Sequence, residues 1–397
     1  MIQGKAKRRI YFGCCDILSF ISKFIPKSRK SILFFSTTNL YDNSEAVFKY
    51  LVDNGYNNEY KIYCAVRHPE IYDKFNYTNV KFISVFMSVW RIMRSKYIFY
   101  HNEMLAIMPT KKQISIDFWH ATTFKKINKT IDPDYRYDFF SYITATSEMY
   151  RPIFAESFGC ELERVIINGH PRNDYLFDDV NELIKIGIKK ENYSKIFMWM
   201  PTYRFSYNEV QRDTDWEHLT ESGLPIFKSN TEVEALNEYL KDKSSLLLIK
   251  LHPAQKTDIF NYTNRSNIVF LTNPQLDELD IHFYSLLKDT DALITDYSSV
   301  FFDYLLIDKP LAFTVDDLDS YGKNRGFVFE NPLDYMPGMK LYGSDDFYSF
   351  LENCLQGVDG YEAQRSDINE KVNFYKDGNN CKRIIEFVGI EHNDRSN

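Results

Sequence analysis

The chain has 397 residues, 44% of them hydrophobic and 26% charged, with 15 Gly and 13 Pro; this length predicts two domains, and this composition excludes collagen-like, low-complexity and wholly disordered classes. Its 29 Tyr and 32 Phe far outnumber the 4 Trp and are spread along the whole chain, which points to general packing and against a nucleic-acid platform. The net charge is −7, yet residues 1–30 carry eight basic side chains against the single acid Asp16, so a basic end that meets something anionic is set against an acidic body.

Residues 1–30 read as a basic amphipathic extension. Ile10, Cys14, Ile17, Ile21 and Phe24 share one face of a helix with cations at both ends, the pattern of a segment lying on an anionic membrane surface. The alternative is a helix packed on its own domain. Asp16, Ser19, Ser22 and Lys23 interrupt the run, which argues against a signal peptide, and no stretch reaches the ~18 to 20 apolar residues that cross a bilayer. A second amphipathic stretch, Phe82 to Arg94, aligns Val85, Phe86, Val89, Trp90 and Met93 beside Arg91 and Arg94. The six cysteines are dispersed without a Cys-x-x-Cys pair and read as reduced thiols of a cytosolic protein, with no metal site.

From residue 31 onward, short apolar runs alternate with helical patterns, which predicts parallel α/β units. Strands are expected at Ile32–Phe35, Lys61–Val66, Lys96–Tyr100, Ile114–Phe118, Tyr142–Ala145 and Val165–Ile167, with a helix from about Ser44 to Asn54 and another ending near Gly159. A polar, helix-like stretch from Asp178 to Asn192 leads to a second series at Ile196–Met200, Leu246–Leu251, Ile268–Leu271, Ala292–Thr295 and Leu311–Thr314. The expected architecture is therefore α/β, with two doubly wound Rossmann-like domains at 31–180 and 181–365. A C-terminal helix within 366–397 is expected to pack back toward the first domain. Ligands of such sheets sit beyond the carboxyl ends of strands, here in a central cleft.

Four motifs follow predicted strands. In "DFWHATTFKKI", His120 leaves a strand with Lys125 and Lys126 close behind, and neighbouring cations favour a neutral, proton-accepting imidazole. In "INGHPRNDYLF", Gly169 and Pro171 force a turn, Asn173 or Asp174 can cap a helix, and Arg172 is a candidate ligand contact, with a stiff interdomain turn as the plainer reading. "LLLIKLHP" ends a buried strand in Lys250 and His252, cations that an anionic ligand would satisfy. "DALITDYSSVFFDYLLIDKP" runs from a strand through Asp296 into a helix starting at Ser298 or Ser299, whose free amides suit a phosphate, or which Asp296 and Ser298 simply cap. Thr202 and Arg204 of "WMPTYR" add a further strand-end guanidinium. No P-loop or dinucleotide fingerprint occurs.

Taken together and in order, these strings resemble the CDP-glycerol glycerophosphotransferases that prime and polymerise teichoic acids and related capsular polymers. "FWHATTFKK" is similar to that family's Trp-His-Gly-Thr-Pro-Leu-Lys-Lys, "GHPRNDYLF" to its Gly-x-Pro-Arg-Asn-Asp and "MPTYR" to its Ala-Pro-Thr-Phe-Arg. "NLYDNSEAVFKYL", "KLHP", "TDYSSVFFDYLLIDKPLAF" and "RGFVFE" continue the register. The resemblance implies a GT-B fold and transfer of glycerol phosphate from CDP-glycerol to a hydroxyl of a lipid-linked acceptor, with release of CMP and no cofactor. It implies His120 as base or transition-state contact, and His252, Thr295, Asp296, Ser298 and Ser299 around the CDP phosphates and ribose. Thr202, Arg204, Lys125 and Arg172 complete the expected substrate contacts. It further implies a cytoplasmic, peripheral position on the inner face of a bacterial cell membrane. Ala121, Thr123 with Phe124, Met339, and Asn380 with Cys381 depart from the family pattern, and none of them touches the nucleotide motifs. The alternatives are a CDP-ribitol donor, a GT-B glycosyltransferase using a UDP- or GDP-sugar, and a two-domain binding protein without turnover.

Overall fold

The computed structural model describes residues 4–202, 220–252, 255 and 262–392. The chain divides into two compact units: unit 1 comprises Met1–Ala121, Asn128–Asp174 and Phe374–Asn397, and unit 2 comprises Thr122–Ile127 and Tyr175–Asn373. Arg204 lies outside the described residues.

Unit 1 is built on strands β1 (Ser28–Phe35), β2 (Lys61–Val66), β3 (Val80–Ser84), β4 (Ser95–Tyr100), β5 (Ile114–Asp117), β6 (Tyr142–Ala145) and β7 (Val165–Ile167), with helices α1 (Lys5–Ser22), α2 (Asp42–Asp53), α3 (Val85–Arg94) and α4 (Tyr150–Phe158). Among the described residues these strands form one parallel sheet in the order β3-β2-β1-β4-β5-β6-β7. The strands are apolar because both faces are covered: Ile32 to Phe34 and Ile98 to Phe99 are wholly buried. Register brings Phe35 level with Tyr100, and Tyr100 level with Asp117. The carboxyl ends of β1, β4 and β5 therefore open at one height, and the order reverses between β1 and β4, which is where such sheets bind ligands.

Unit 2 repeats the plan with β8 (Ile196–Met200), β9 (Leu246–Lys250), β10 (Ile268–Leu271), β11 (Ala292–Thr295), β12 (Leu311–Thr314) and β13 (Met339–Leu341). They are all parallel in the order β10-β9-β8-β11-β12-β13, so the reversal falls between β8 and β11. Met200 pairs with Thr295 and Thr295 with Phe313, which levels the three carboxyl ends. Its helices include α5 (Asn230–Asp242), α6 (Asn273–Glu278), α7 (Phe283–Lys288), α8 (Val300–Tyr304), α9 (Leu318–Asn324), α10 (Ser344–Gln356) and α11 (Glu362–Val372), and α12 (Asn380–Phe387) then belongs to unit 1. The α5 N-terminus is closed by a reciprocal Ser229–Glu232 capping box.

Three elements differ from the sequence expectation. Strand β3 takes Phe82 to Ser84 out of the expected helix, because a half-covered edge strand lacks the buried run that marks an interior one. Strand β13, Met-Lys-Leu with only Leu341 buried, lacks an apolar run. The polar stretch Asp178 to Asn192 forms two short 3-10 turns, Glu182–Ile186 and Lys190–Asn192. It is pinned by Ser285 donating to Asp178 (2.6 Å) and Lys288 donating to the Val180 carbonyl (2.6 Å).

Gly338, at the entrance to β13, lies against the Leu311 main chain so closely that a Cβ there would overlap the Leu311 carbonyl group. Gly338→Ala is expected to destabilise unit 2 by about 2–3 kcal/mol through forced backbone displacement, read as a lower denaturant midpoint for the transition of that unit. An unchanged midpoint would show that the strand edge gives way freely.

Candidate active site

In unit 1 the functional residues gather at the carboxyl edge of the sheet. His120 follows β5 by three residues, and the turn that carries it is unusual: Trp119 has φ 50, a left-handed conformation rarely adopted by bulky side chains. Three bonds hold the turn. The Trp119 amide donates to Asp117 Oδ1 (2.8 Å), Asn43 Nδ2 donates to the Trp119 carbonyl (3.0 Å), and Arg172 Nη1 donates to the His120 carbonyl (2.6 Å). Arg172 is only 6% exposed. The same Nη1 reaches both carboxylate oxygens of Asp42 at 2.9 and 2.8 Å, and the Arg172 amide donates to Asn43 Oδ1 (3.1 Å). The guanidinium expected to contact ligand is thus directed at a carboxylate and a main-chain carbonyl.

The rest of the Gly-His-Pro-Arg-Asn-Asp motif is also accounted for. Gly169 has φ 85, a conformation that favours glycine, and a Cβ there would press on the end of the Asn380 side chain. Asp174 accepts from the amides of Asn380 and Cys381, both at 2.8 Å, and so caps α12.

Electrostatics at this edge are set by burial. The His120 ring keeps part of its surface exposed but stands 4.3 Å from the Trp119 ring. Loss of water pushes its pKa down to about 3; Asp42 opposes this, and Arg172, His101 and His170 reinforce it. The cations expected from spacing, Lys125 and Lys126, fall in unit 2. His101, after β4, is buried with Nδ1 2.8 Å from Ser44 Oγ, and burial lowers it to about 4 against the pull of Asp42. Burial alone would raise Asp42, but Arg172 and then His101 outweigh it and hold the carboxyl below its ordinary range. The result is a neutral imidazole at neutral pH. Among the described residues, its Nδ1 has no hydrogen-bond partner.

In unit 2 the corresponding edge carries Thr202, after β8, and Asp296, after β11. The Thr202 amide and hydroxyl both donate to Asp296 Oδ2 at 2.7 Å, and Thr295 Oγ1 donates to the Met200 carbonyl (2.8 Å). These bonds lock the two strand ends that flank the order reversal. Ser298 and Ser299 follow, half-buried, at the start of α8. Tyr297 turns inward, donates to Asp317 Oδ1 (2.9 Å) and packs on Tyr321 at 4.3 Å. Lys125 lies over the Tyr321 ring, 5.1 Å from its centroid, and pairs with Phe327 in an antiparallel bridge. At the end of β9, His252 is exposed, whereas buried Lys250 donates to the Leu251 carbonyl (3.2 Å) and to Asn273 Oδ1. The burial cost of Lys250, expected to fall on a ligand, is thus offset within the protein, and burial still lowers its pKa to about 8 against the pull of Asp277. Among the described residues no group of three or more His, Cys, Asp or Glu is arranged to hold a metal ion.

Sequence reasoning missed Asp42, Asn43, His101 and Asp117. The signal was present for the first two in "NLYDNSEA", which precedes α2. His101 and Asp117 are recognisable only once the strand ends are aligned.

The family model of CDP-glycerol:poly(glycerophosphate) glycerophosphotransferase matches residues 17–389. The teichoic acid glycerol-phosphate primase of Bacillus subtilis (strain 168) is 26% identical over 329 residues, covering 77% of this chain and 76% of the relative. The teichoic acid poly(ribitol-phosphate) polymerase of Bacillus spizizenii is 27% identical, covering 84% of this chain but only 52% of the relative, so the chain spans about half of that protein. Among solved structures, the wall teichoic acid polymerase TagF aligns with a TM-score of 0.72 at 18% identity, over 96% of this chain and 93% of that one. This likeness establishes a GT-B-like α/β fold.

Burial pushes the Asp117 carboxyl up to about 8, despite the bond from the Trp119 amide. An unfolded carboxyl ionises near pH ~3.9, so from about pH 4 to about 8 the folded state holds a proton that the unfolded state has lost, and stability falls as pH rises through this window. Asp117→Asn keeps the oxygen that accepts from Trp119 and removes the ionisation. Urea unfolding is therefore expected to show a smaller loss of stability between pH 6 and 8 for the variant than for the wild type. Equal losses would show that Asp117 is ionised in the folded state.

Proposed function

The chain belongs to the CDP-glycerol:poly(glycerophosphate) glycerophosphotransferase family, and from this we propose that it transfers glycerol phosphate from CDP-glycerol to a terminal hydroxyl of a lipid-linked acceptor in teichoic acid or capsular polymer synthesis. The observation that carries this reading is the extent of the family match, from residue 17 to 389, which takes in every strand-end motif of both Rossmann-like units.

In the proposed reaction the acceptor oxygen attacks the β-phosphorus of CDP-glycerol, the bond from that phosphorus to the bridging oxygen breaks, and CMP leaves. The acceptor proton passes to His120, whose neutral imidazole can accept it. In unit 2 the diphosphate is taken by His252, the hydroxyls and amides of Ser298 and Ser299, and the cations Lys125 and Arg204. Thr202, bonded to Asp296, and Thr295, bonded to the Met200 carbonyl, support that turn, and with Asp296 they line the ribose and phosphates. Phosphoryl transfer of this kind needs positioning and charge stabilisation more than covalent chemistry, and these groups supply both. The glycerol-phosphate and ribitol-phosphate relatives match about equally well, so CDP-ribitol is the second donor to be tested.

An anionic membrane surface is the proposed partner of α1. This helix docks on unit 1 through Arg8, paired with Asp132 at 2.6 Å, Phe12, 5.2 Å from the Tyr135 ring, and Ser19, which accepts from the Met108 amide at 2.9 Å. Its other side presents Ile10, Ile17 and Ile21, Phe24 just beyond its end is 73% exposed, and α3 presents Phe86 and Trp90 beside Arg91 and Arg94. Exposed apolar side chains flanked by cations suit the boundary between headgroups and acyl chains. Among the described residues no helix is long and apolar enough to cross a membrane.

Purified protein is expected to release CMP from CDP-glycerol when supplied with a lipid-linked acceptor, and His120→Ala and His252→Ala are each expected to lower kcat at least ~100-fold. Full turnover in both variants would remove the assigned mechanism, whereas release of UDP or GDP from a sugar nucleotide would identify a glycosyltransferase. In flotation with phosphatidylglycerol vesicles, the Ile17→Glu, Phe24→Glu double variant is expected to be recovered severalfold less than the wild type. Equal recovery would argue that α1 is not the contact.

A further inference from the structure

Two sequence motifs remain without a chemical role: the Asp42–Asn43 entry to α2 and the Arg172 turn after β7. In space they form one device around the residue after next to Asp117. Arg172 Nη1 binds the His120 carbonyl and both Asp42 oxygens, and Asn43 binds the Trp119 carbonyl while accepting from the Arg172 amide. Two consecutive carbonyls, 119 and 120, are therefore held by side chains from α2 and from the loop after β7. Asp42 itself has φ 56, and its Oδ1 accepts from the Asn43 amide at 2.7 Å, so the carboxylate is fixed to its own backbone and cannot follow a moving guanidinium.

We propose that Asp42, Asn43 and Arg172 are positioning residues that hold the left-handed Trp119–His120 turn and so aim the imidazole. The proposal rests on the reading of His120 as proton acceptor. None of the three residues needs to touch substrate. Left-handed backbone at a tryptophan is sterically unfavourable and persists only where its surroundings enforce it; the clamp is such an enforcement. A buried guanidinium whose Nη1 is shared between the Asp42 carboxylate and the His120 carbonyl also fixes direction better than an ammonium would, because the guanidinium is planar.

The charges of the clamp act on the imidazole with opposite sign. Asp42 favours the protonated ring, whereas Arg172, His101 and His170 disfavour it. A purely structural role would make the two halves of the pair equivalent, and a ligand-binding role would show in KM. The full-length wild type, Asp42→Asn and Arg172→Gln would be compared by NMR titration of the histidines and by steady-state assay with CDP-glycerol and a synthetic lipid-linked glycerol-phosphate acceptor. Asn tolerates φ above zero, so Asp42→Asn keeps the backbone and serves as the deciding variant should Arg172→Gln unfold.

The expected result is a fall in kcat of roughly tenfold to a hundredfold in each variant, as misplacement of a catalytic group produces, with KM for CDP-glycerol within about twofold of wild type. The His120 titration moves to lower pH in Asp42→Asn and to higher pH in Arg172→Gln, and Arg172→Lys recovers the charge effect on titration but little of kcat. Shifts in the same direction, a raised KM with unchanged kcat, or full activity in Asp42→Asn would each overturn the proposal. If the wild type itself fails to turn over CDP-glycerol, the functional reading falls, and the NMR titration still decides whether the clamp acts on His120.

Discussion

Polar side chains buried at the edge of an apolar parallel sheet must find partners, and that constraint shapes everything functional in this chain. The interior strands of both sheets are covered on both faces, so their centres are largely apolar, and the buried polar groups of the candidate site gather at their carboxyl ends. There, Thr202 pairs with Asp296, His101 with Ser44, Arg172 with Asp42 and Lys250 with Asn273. Leaving any one of these unpaired would cost about 1–3 kcal/mol or more, so the edges are closely specified while the remaining surface is free to vary.

The same low-dielectric edge decides protonation. Burial removes the proton from His120 and His101 and keeps one on Asp117 near neutral pH, so a base and an acid coexist within four residues without neutralising each other. Transfer of a phosphoryl group to a hydroxyl requires a site that accepts a proton while stabilising charge on phosphate oxygens. Unit 1 carries the neutral imidazole, and unit 2 carries the half-buried hydroxyls of Ser298 and Ser299 after β11. Each is produced by the same Rossmann-like strand order, with its reversal between β1 and β4 or between β8 and β11.

Much of this was legible in the linear chain because interior parallel strands are written as uninterrupted apolar runs. Lys61–Val66, Tyr142–Ala145, Val165–Ile167, Ile196–Met200, Ile268–Leu271, Ala292–Thr295 and Leu311–Thr314 begin and end where the apolar pattern does. Edge strands β3 and β13 were illegible because each is largely half-covered and interrupted by a lysine, whereas the equally short but wholly apolar β7 was read. At the site, His120, Asp296 and Arg172 stood out by residue type at strand ends. Their pairings did not: Asp42 is 130 residues from Arg172, and Thr202, itself read as a candidate, is 94 from Asp296. Nothing in local spacing records such pairings.

By itself, the order of residues determined the α/β class, the alternation of strands and helices, the family and the strand ends at which polar groups accumulate, because each follows from local periodicity or from motifs read in register. Only the tertiary structure decided which of those polar groups meet. It directed Arg172 at Asp42 and a main-chain carbonyl, satisfied Lys250 from within and made burial, not Lys125 or Lys126, the main cause of a neutral His120. The physical reason is that hydrogen bonds and desolvation depend on distances across strands, and those distances exist only after the sheets have assembled.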